Sequence, residues 1–567
     1  MFEKKVSSLL GSTENSFVRE AMKATHETLS GNAALKYATS GDYFVDNFAA
    51  ISNFKQPRSY KEVAEDMQIL WSIDPLKCLK LAVYIRMITR KPQVLENLVM
   101  EKTQVLEVQK GQGLRNEGIL RMLWLAINHP NTFTHNICVF IAAGSWKDIF
   151  TMLNLDLQYH GWANRQLDWR FFNNIILAGL TNQNTTHLVR KYLPTIRTNS
   201  KAKTLEAQAD TLIGRWIARN LFKGEDKVIS YKNYRKLKAE GVAHEWQQLI
   251  SKQLYKEIKF DRIAGRALQK LVNSKFLQNH DLREKYFEWI QSKPTAKYTG
   301  FVFELFEPID LNVTYNYNKR SYVYDEVDET VKATINAQFN QLVAVGKEEA
   351  DTQTRFLVAR DISSSMRTKA RGCNLSSYSI AKAMALYFSE FMTGPFANCY
   401  VEFANECRMT KWKGETPFDK WVNDTSNNFG STNFLSVAYL LARLKERGVP
   451  ESDFPEGILC VSDGEFNYCG RNTTNFSKFR TILSEAGFSE EYVKNFKLVL
   501  WDIPNSYYGK TSPTFEDFAD APNVFHMSGY DPAAVSFLMG KGHNPCNSKE
   551  LMEASLNQEL LNKLQII

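Results

Sequence analysis

The sequence predicts two architectures in one chain: an all-α helical-repeat domain at the front and an α/β doubly wound domain at the back. Three observations predict it. Apolar residues recur at three- and four-residue steps from about residue 15 to 290, the period of amphipathic helices. Around Pro294 the composition turns β-branched and aromatic. From 355 onward, apolar runs of strand length alternate with amphipathic helices, the pattern of a parallel sheet covered on both faces. At 567 residues the chain also exceeds what one hydrophobic core supports. The expected division is 1–292 helical repeats, 293–350 connector, 351–545 α/β domain and 546–567 helical tail.

In the front part, IDPLKCLKLAVYIRMITRK, RNEGILRMLWLAINHP and THNICVFIAAGSWKDIFTMLNL carry the helical rhythm. Short polar breaks separate such segments: Asn128-His129-Pro130, Thr181-Asn182-Gln183-Asn184 and Gly224. Helices of this length with short joints suggest stacked hairpins of the HEAT-like solenoid kind, although no fixed repeat period is visible. In the connector, YTGFVFELFEPIDLNVTYNY reads as extended, and YDEVDETVKATINAQFNQLVAVG as an acidic helix. The strands of the back part are RFLVAR, CYVEF, GILCV, FKLVLW and NVFHM. The helices between them show apolar faces: Ile380, Met384, Tyr387, Phe388 and Phe391, then Phe434, Val437, Ala438, Leu441 and Leu444.

Composition is that of an ordinary globular protein, with 44% hydrophobic and 23% charged residues. No apolar run approaches the roughly 20 residues that span a bilayer. MFEKKVSSLLGSTENSF holds no apolar core of signal-peptide length, so a cytoplasmic protein is expected, or a virion-associated one if the source is viral. The eight cysteines are scattered without CxxC spacing, which suits reduced thiols. The net charge of +8 is unevenly spread. Residues 187–300 carry 24 Lys+Arg against 11 Asp+Glu, a balance of +13, whereas 1–186 carry +3 and 301–567 carry −8. A local excess of this size fits either a polyanion footprint or a solvated set of helix faces.

The strand-end loops carry the candidate chemistry. The first strand runs into Asp361-Ile362-Ser363-Ser364-Ser365. Phe429-Gly430-Ser431-Thr432 precedes a helix, and Val461-Ser462-Asp463-Gly464 ends the GILCV strand. A hard divalent cation takes oxygen ligands, and two carboxylates suffice when hydroxyls and water complete the shell. Any one of these residues could sit where it does for backbone capping alone. All three loops together, in this order, resemble the metal-ion-dependent adhesion site (MIDAS) of von Willebrand factor A domains. The resemblance assigns Asp361, Ser363, Ser365, Thr432 and Asp463 as metal ligands, with magnesium the first choice of divalent metal ion and manganese or calcium as alternatives. Ser364 departs from the glycine frequent at that position. The resemblance also implies an open position on the ion for an acidic protein partner.

The helical front with this back half resembles the TROVE family of Ro-type proteins, a ring of HEAT-like repeats closed by a von Willebrand factor A-like domain. Gly144-Ser145-Trp146-Lys147-Asp148, Tyr234-Arg235-Lys236-Leu237, Tyr298-Thr299-Gly300 and Ala337-Gln338-Phe339 resemble a branch of that architecture found in microbes, viruses and fungi. So do LWDIP and HMSGYDPAAVSFLMG, while Ile263-Ala264-Gly265 stands where relatives often have proline. The resemblance implies RNA binding, a ribonucleoprotein role and contacts in the basic segment. The candidates are Lys232, Arg235, Lys236, Lys238, Lys252, Lys256, Lys259, Arg262 and Arg266, interleaved with Tyr231, Tyr234 and Tyr255. Cations would neutralise phosphates and rings would stack on unpaired bases.

Two functional readings follow. The first is a noncatalytic RNA-binding ring serving as ribonucleoprotein scaffold or in RNA quality control, with a divalent-metal adhesion site. The second is a protein-interaction or structural component, of a virion for example, whose metal captures an acidic partner. No enzyme is expected, since GxxxxGK[ST], HExxH and GxSxG are absent. His526 and His543 read as structural.

Overall fold

The computed structural model describes residues 23–24, 26–30, 32–50, 58–87, 93–97, 102–106, 111–198, 200–242, 245–298, 300–310, 313–316, 321–349, 355–370, 373–424, 430–503, 514–528 and 545–567. These residues form two compact units, each drawn from two stretches of chain. The first takes Met1–Gln56 and Ile263–Ser555, the second Pro57–Arg262 and Leu556–Ile567. An N-terminal antiparallel hairpin, β1 (Glu27–Leu29) and β2 (Leu35–Tyr37), belongs to the first.

The second unit is helical: α1 (Tyr60–Ile73), α2 (Pro75–Arg86), α3 (Arg115–Asn128), α4 (Trp146–His160), α5 (Trp169–Thr181), α6 (Leu205–Leu221) and α7 (Lys227–Val242), with shorter helices between. Neighbours in sequence pack together, α1 with α2, α2 with α3, and α6 with α7. Local chemistry starts these helices. Ser59 and Glu62 form a capping box at α1, and the Asp74 side chain accepts from Lys77 N at α2, whose first residue is Pro75. Asn128-His129-Pro130 ends α3, and Asn182 ends α5. One stretch expected to be helical is instead an antiparallel hairpin, β3 (Gln93–Asn97) and β4 (Lys102–Leu106), as the β-branched Val94, Thr103 and Val105 favour.

The GSWKD stretch is structural. Asp148 is 1% exposed and caps α4 from its third position, accepting from Ser145 N at 2.9 Å. It also pairs with buried Arg86 at 2.5 Å and with Arg115 at 3.1 Å. Trp146 packs where a Cβ on Gly179 would come within 2.4 Å of its ring, so glycine is required there.

In the first unit follow α8 (Gly265–Val272), α9 (Arg283–Gln291), a hairpin β5 (Val313–Asn316) and β6 (Ser321–Tyr324), and α10 (Glu329–Glu349). Residues 263–292, expected with the helical part, pack here because their polar groups find partners here. Tyr286 Oη meets Thr334 Oγ1 at 2.8 Å, and Gln338 donates to Gly265 O at 3.0 Å. Gln269 donates to Glu304 O and Leu305 O. The stretch expected to be extended contains helical turns at Val302–Leu305 and Glu307–Asp310, and among its described residues only Val313–Asn316 is a strand. Phe303, Leu305 and Phe306 are buried there, so tertiary burial overrides their β propensity.

Among the described residues the sheet has six strands: β7 (Phe356–Asp361), β8 (Cys399–Phe403), β9 (Cys407–Lys411), β10 (Gly457–Ser462), β11 (Lys497–Asp502) and β12 (Val524–Ser528). Their order is β12-β11-β10-β7-β8-β9, parallel except for the antiparallel edge strand β9. In sequence order that is 6-5-4-1-2-3, the doubly wound arrangement, whose reversal point falls between β7 and β10. All five expected strands form. β9 lacks an apolar run, since CRMTK is half-exposed at the edge. Helix α11 (Ser377–Ser389) packs on β7 and β10 and against the Val302–Leu305 turn, so it is buried throughout. Helices α12 (Leu435–Glu446), α13 (Asn475–Glu485) and α14 (Ser548–Leu556) complete the elements used below. Cys78 and Cys460 are buried thiols within their elements. No helix among the described residues is long and apolar enough to cross a membrane.

Candidate metal centre

Two loops leave the carboxyl edge at the reversal point, 361–365 after β7 and 463–467 after β10, and the 430–432 loop joins them. The joints are backbone hydrogen bonds. Ser364 N donates to Gly430 O at 3.0 Å, Asn467 N to Thr432 O at 2.9 Å, and Asn433 N to Ala404 O at 2.8 Å. Thr432 N in turn donates to Asn467 Oδ1 at 3.1 Å. Phe429 lies outside the described residues.

Asp361 is fully buried. Its Oδ1 accepts from Ser363 N at 2.7 Å and its Oδ2 from Ser462 Oγ at 2.5 Å. Ser363 Oγ and Ser365 Oγ are 3.1 Å apart. Asp463 accepts from Glu465 N at 3.1 Å, and Thr432 is 1% exposed. Burial, then the neighbouring Asp463 charge, raise the Asp361 carboxyl from 3.8 to about 7, although Ser462 and Ser363 oppose the rise. Two carboxylates sharing a buried edge lined by hydroxyls suit a hard cation, whose charge would relieve their repulsion. No three His, Cys, Asp or Glu side chains gather into a metal cluster among the described residues, so this centre would rely on two carboxylates and hydroxyls.

Behind the first loop, Arg360 anchors β7. Its guanidinium is wholly buried and meets Asp424 at 2.5 Å and Glu402 at 3.1 Å. Tyr400 Oη and the Lys382 ammonium also reach Asp424, at 2.8 and 3.6 Å. Despite burial, these partners, Arg360 foremost, hold the Asp424 carboxyl down at about 2.

Sequence reading missed several contributors. Ser462 stands one residue before a proposed ligand, and its hydroxyl bonds Asp361. Asn405 accepts from Ser431 N and Oγ, both at 2.8 Å, and so shapes the middle loop. Asn467 and Lys36 carry no local signal at all. His526 is buried neutral: its Nε2 accepts from Glu516 N at 2.8 Å, and burial lowers it to about 3, a structural role. His543 and most of HMSGYDPAAVSFLMG lie outside the described residues.

The nine basic candidates divide between the units. Lys232, Arg235 and Lys236 are exposed on α7, and Lys252, Lys256, Lys259 and Arg262 are exposed further along the same unit. Lys238 is half-buried and donates to Leu193 O, and burial lowers its pKa. Arg266 lies in the first unit and pairs with buried Glu304 at 2.6 Å. Tyr234 is buried with its hydroxyl on Pro194 O at 2.7 Å, so it is a packing residue and not a stacking platform. Tyr231 and Tyr255 are half-buried.

A family model described as Domain of unknown function (DUF7788) matches residues 357–565, which include every proposed metal ligand. No curated protein matches the chain. Among solved structures, the chain is similar to one titled "Crystal structure of Deinococcus radiodurans RO (RSR) protein", at 12% identity and a TM-score of 0.39, covering 78% of this chain and 87% of that one.

Proposed function

We propose that this protein is a noncatalytic, metal-dependent binding protein whose α/β domain is of von Willebrand factor A type and holds one divalent cation, Mg2+ first among the candidates. The observation that supports the reading is that the loops carrying Asp361, Ser363, Ser365, Thr432 and Asp463 are joined by backbone hydrogen bonds at the reversal point of a doubly wound sheet. These five side chains would hold the ion, directly or through water. When bound, the ion supplies a positive Lewis-acidic site for an acidic group of a partner protein. Calorimetric titration with Mn2+ tests it: wild type binds one equivalent and Asp361→Ala loses most of the affinity. Unchanged binding in the variant sinks the assignment.

A second activity, RNA binding by the helical unit, is favoured by the part of the basic segment that lies in that unit, residues 187–262 with 17 Lys+Arg against 8 Asp+Glu, a balance of +9, and by the exposed Lys232, Arg235, Lys236, Lys252, Lys256, Lys259 and Arg262. It would place the protein in a ribonucleoprotein or RNA quality-control role in the cytoplasm. Gel shifts with single-stranded and hairpin RNA across a salt series test this reading, because phosphate contacts weaken steeply as salt rises. Absence of a shift at low salt leaves the protein-partner reading in front.

A further inference from the structure

The loop that carries Asp463 is gripped by a segment more than four hundred residues earlier in sequence. Three consecutive carbonyls after Asp463 accept hydrogen bonds from side chains of the N-terminal hairpin. Lys36 Nζ donates to Gly464 O, Asn32 Nδ2 to Glu465 O at 2.5 Å, and Ser30 Oγ to Phe466 O at 2.9 Å. At the fourth residue, Ala33 forms an antiparallel bridge with Asn467, the residue that bonds Thr432 in both directions.

The gripping turn is organised in advance. Ser30 Oγ accepts from Ala34 N at 3.0 Å and from Asn32 N at 3.2 Å. Ser30 and Lys36 are 6% and 1% exposed, and Lys36 also reaches Thr514 Oγ1 at 3.1 Å. The loop needs such a grip, because Gly464 sits at φ 68°, a turn that strand pairing cannot hold. A buried ammonium is expensive unless it is partnered, and here carbonyl, hydroxyl and the nearby Asp502 and Glu516 carboxylates surround it.

We infer that the N-terminal hairpin is a clasp that positions the 463–467 loop for the cation, with Ser30, Asn32 and Lys36 as positioning residues. The inference rests on the metal-binding reading above. Metal binding and hairpin docking are then reciprocally linked: the ion tightens the hairpin by the same factor by which the docked hairpin tightens the ion. Partners that hold metal-site groups in place commonly contribute ten- to a hundredfold to affinity.

The test uses the full chain. The double variant Ser30→Ala/Asn32→Ala changes no charge near the site, and its Mn2+ affinity by calorimetry falls by about tenfold. In wild type, amide hydrogen exchange of residues 26–40 slows by a similar factor when Mn2+ saturates the site, an effect that a merely structural hairpin does not show. Unchanged affinity in a double variant that retains exchange protection in β7 and β10 overturns the inference. Exchange of 26–40 indifferent to Mn2+ overturns it too, and decides alone should the variant fail to fold. A wild-type chain that binds no Mn2+ overturns the metal reading itself, a separate result from wild-type binding that the clasp does not affect.

Discussion

Replacing Asp361 by asparagine tests whether the edge of the sheet is built around a strained charge. The rise of this carboxyl from 3.8 to about 7 corresponds to about 4 kcal/mol, at about 1.4 kcal/mol per pH unit. The folded value lies above the unfolded one. The stability tied to the protonated form is therefore fully present below 3.8 and is lost as pH rises through about 7. Asparagine does not ionise, so the variant escapes that loss. Against this, the hydrogen bonds from Ser363 N and Ser462 Oγ are weakened, at about 1 kcal/mol each. With metal chelated, the variant should exceed wild type by about 2 kcal/mol at pH 8. At pH 5, where less than half of the loss has accrued, the two should be nearly equal. Urea unfolding in EDTA at both pH values, read by hydrogen exchange at β7 and β10 amides, measures the difference. A variant less stable than wild type by the same margin at both pH values refutes the argument. Adding Mn2+ at pH 8 should restore wild type and leave the variant unmoved.

Three further outcomes are expected. Arg360→Met takes from the buried Asp424 and Glu402 the guanidinium they share, leaving Asp424 with Lys382 and Tyr400 and Glu402 with Arg408, and should cost about 3–5 kcal/mol in denaturant unfolding of the α/β unit, because one partner is removed from a buried ion-pair network. Gly179→Ala drives a methyl into the Trp146 ring and should destabilise the helical unit by about 1–3 kcal/mol, seen as a lowered Tm. Lys232→Gln/Lys236→Gln removes two exposed charges from α7. RNA affinity should fall on every sequence, and the slope of log K against log salt should shallow by about 1.4 for single strands.

Legibility differed by kind of signal. Strands β7, β8, β10, β11 and β12 were readable because both of their faces are covered, which forces near-continuous apolar runs. β9 was not, since an edge strand needs no such run. The hairpins β1–β2 and β3–β4 were hidden within a helical rhythm, being only three and five residues per strand. The Val302–Asp310 turns were misread because aromatic residues signal strand and core alike. In the site, Asp361 and Asp463 stood out as strand-end carboxylates. The contributions of Asn467, Asn405 and Lys36 are long-range, and no local spacing marks them. The basic candidates were readable as charge only. Burial of Tyr234, and the pairing of Lys238 and Arg266, depend on packing that composition does not show.

The most direct test of the central claim is a crystal of the full chain grown with Mn2+ and measured at the manganese absorption edge. The account predicts one anomalous peak bounded by Asp361, Ser363, Ser365, Thr432 and Asp463. A map without a peak there, with Mn2+ in excess at pH 8, would contradict it.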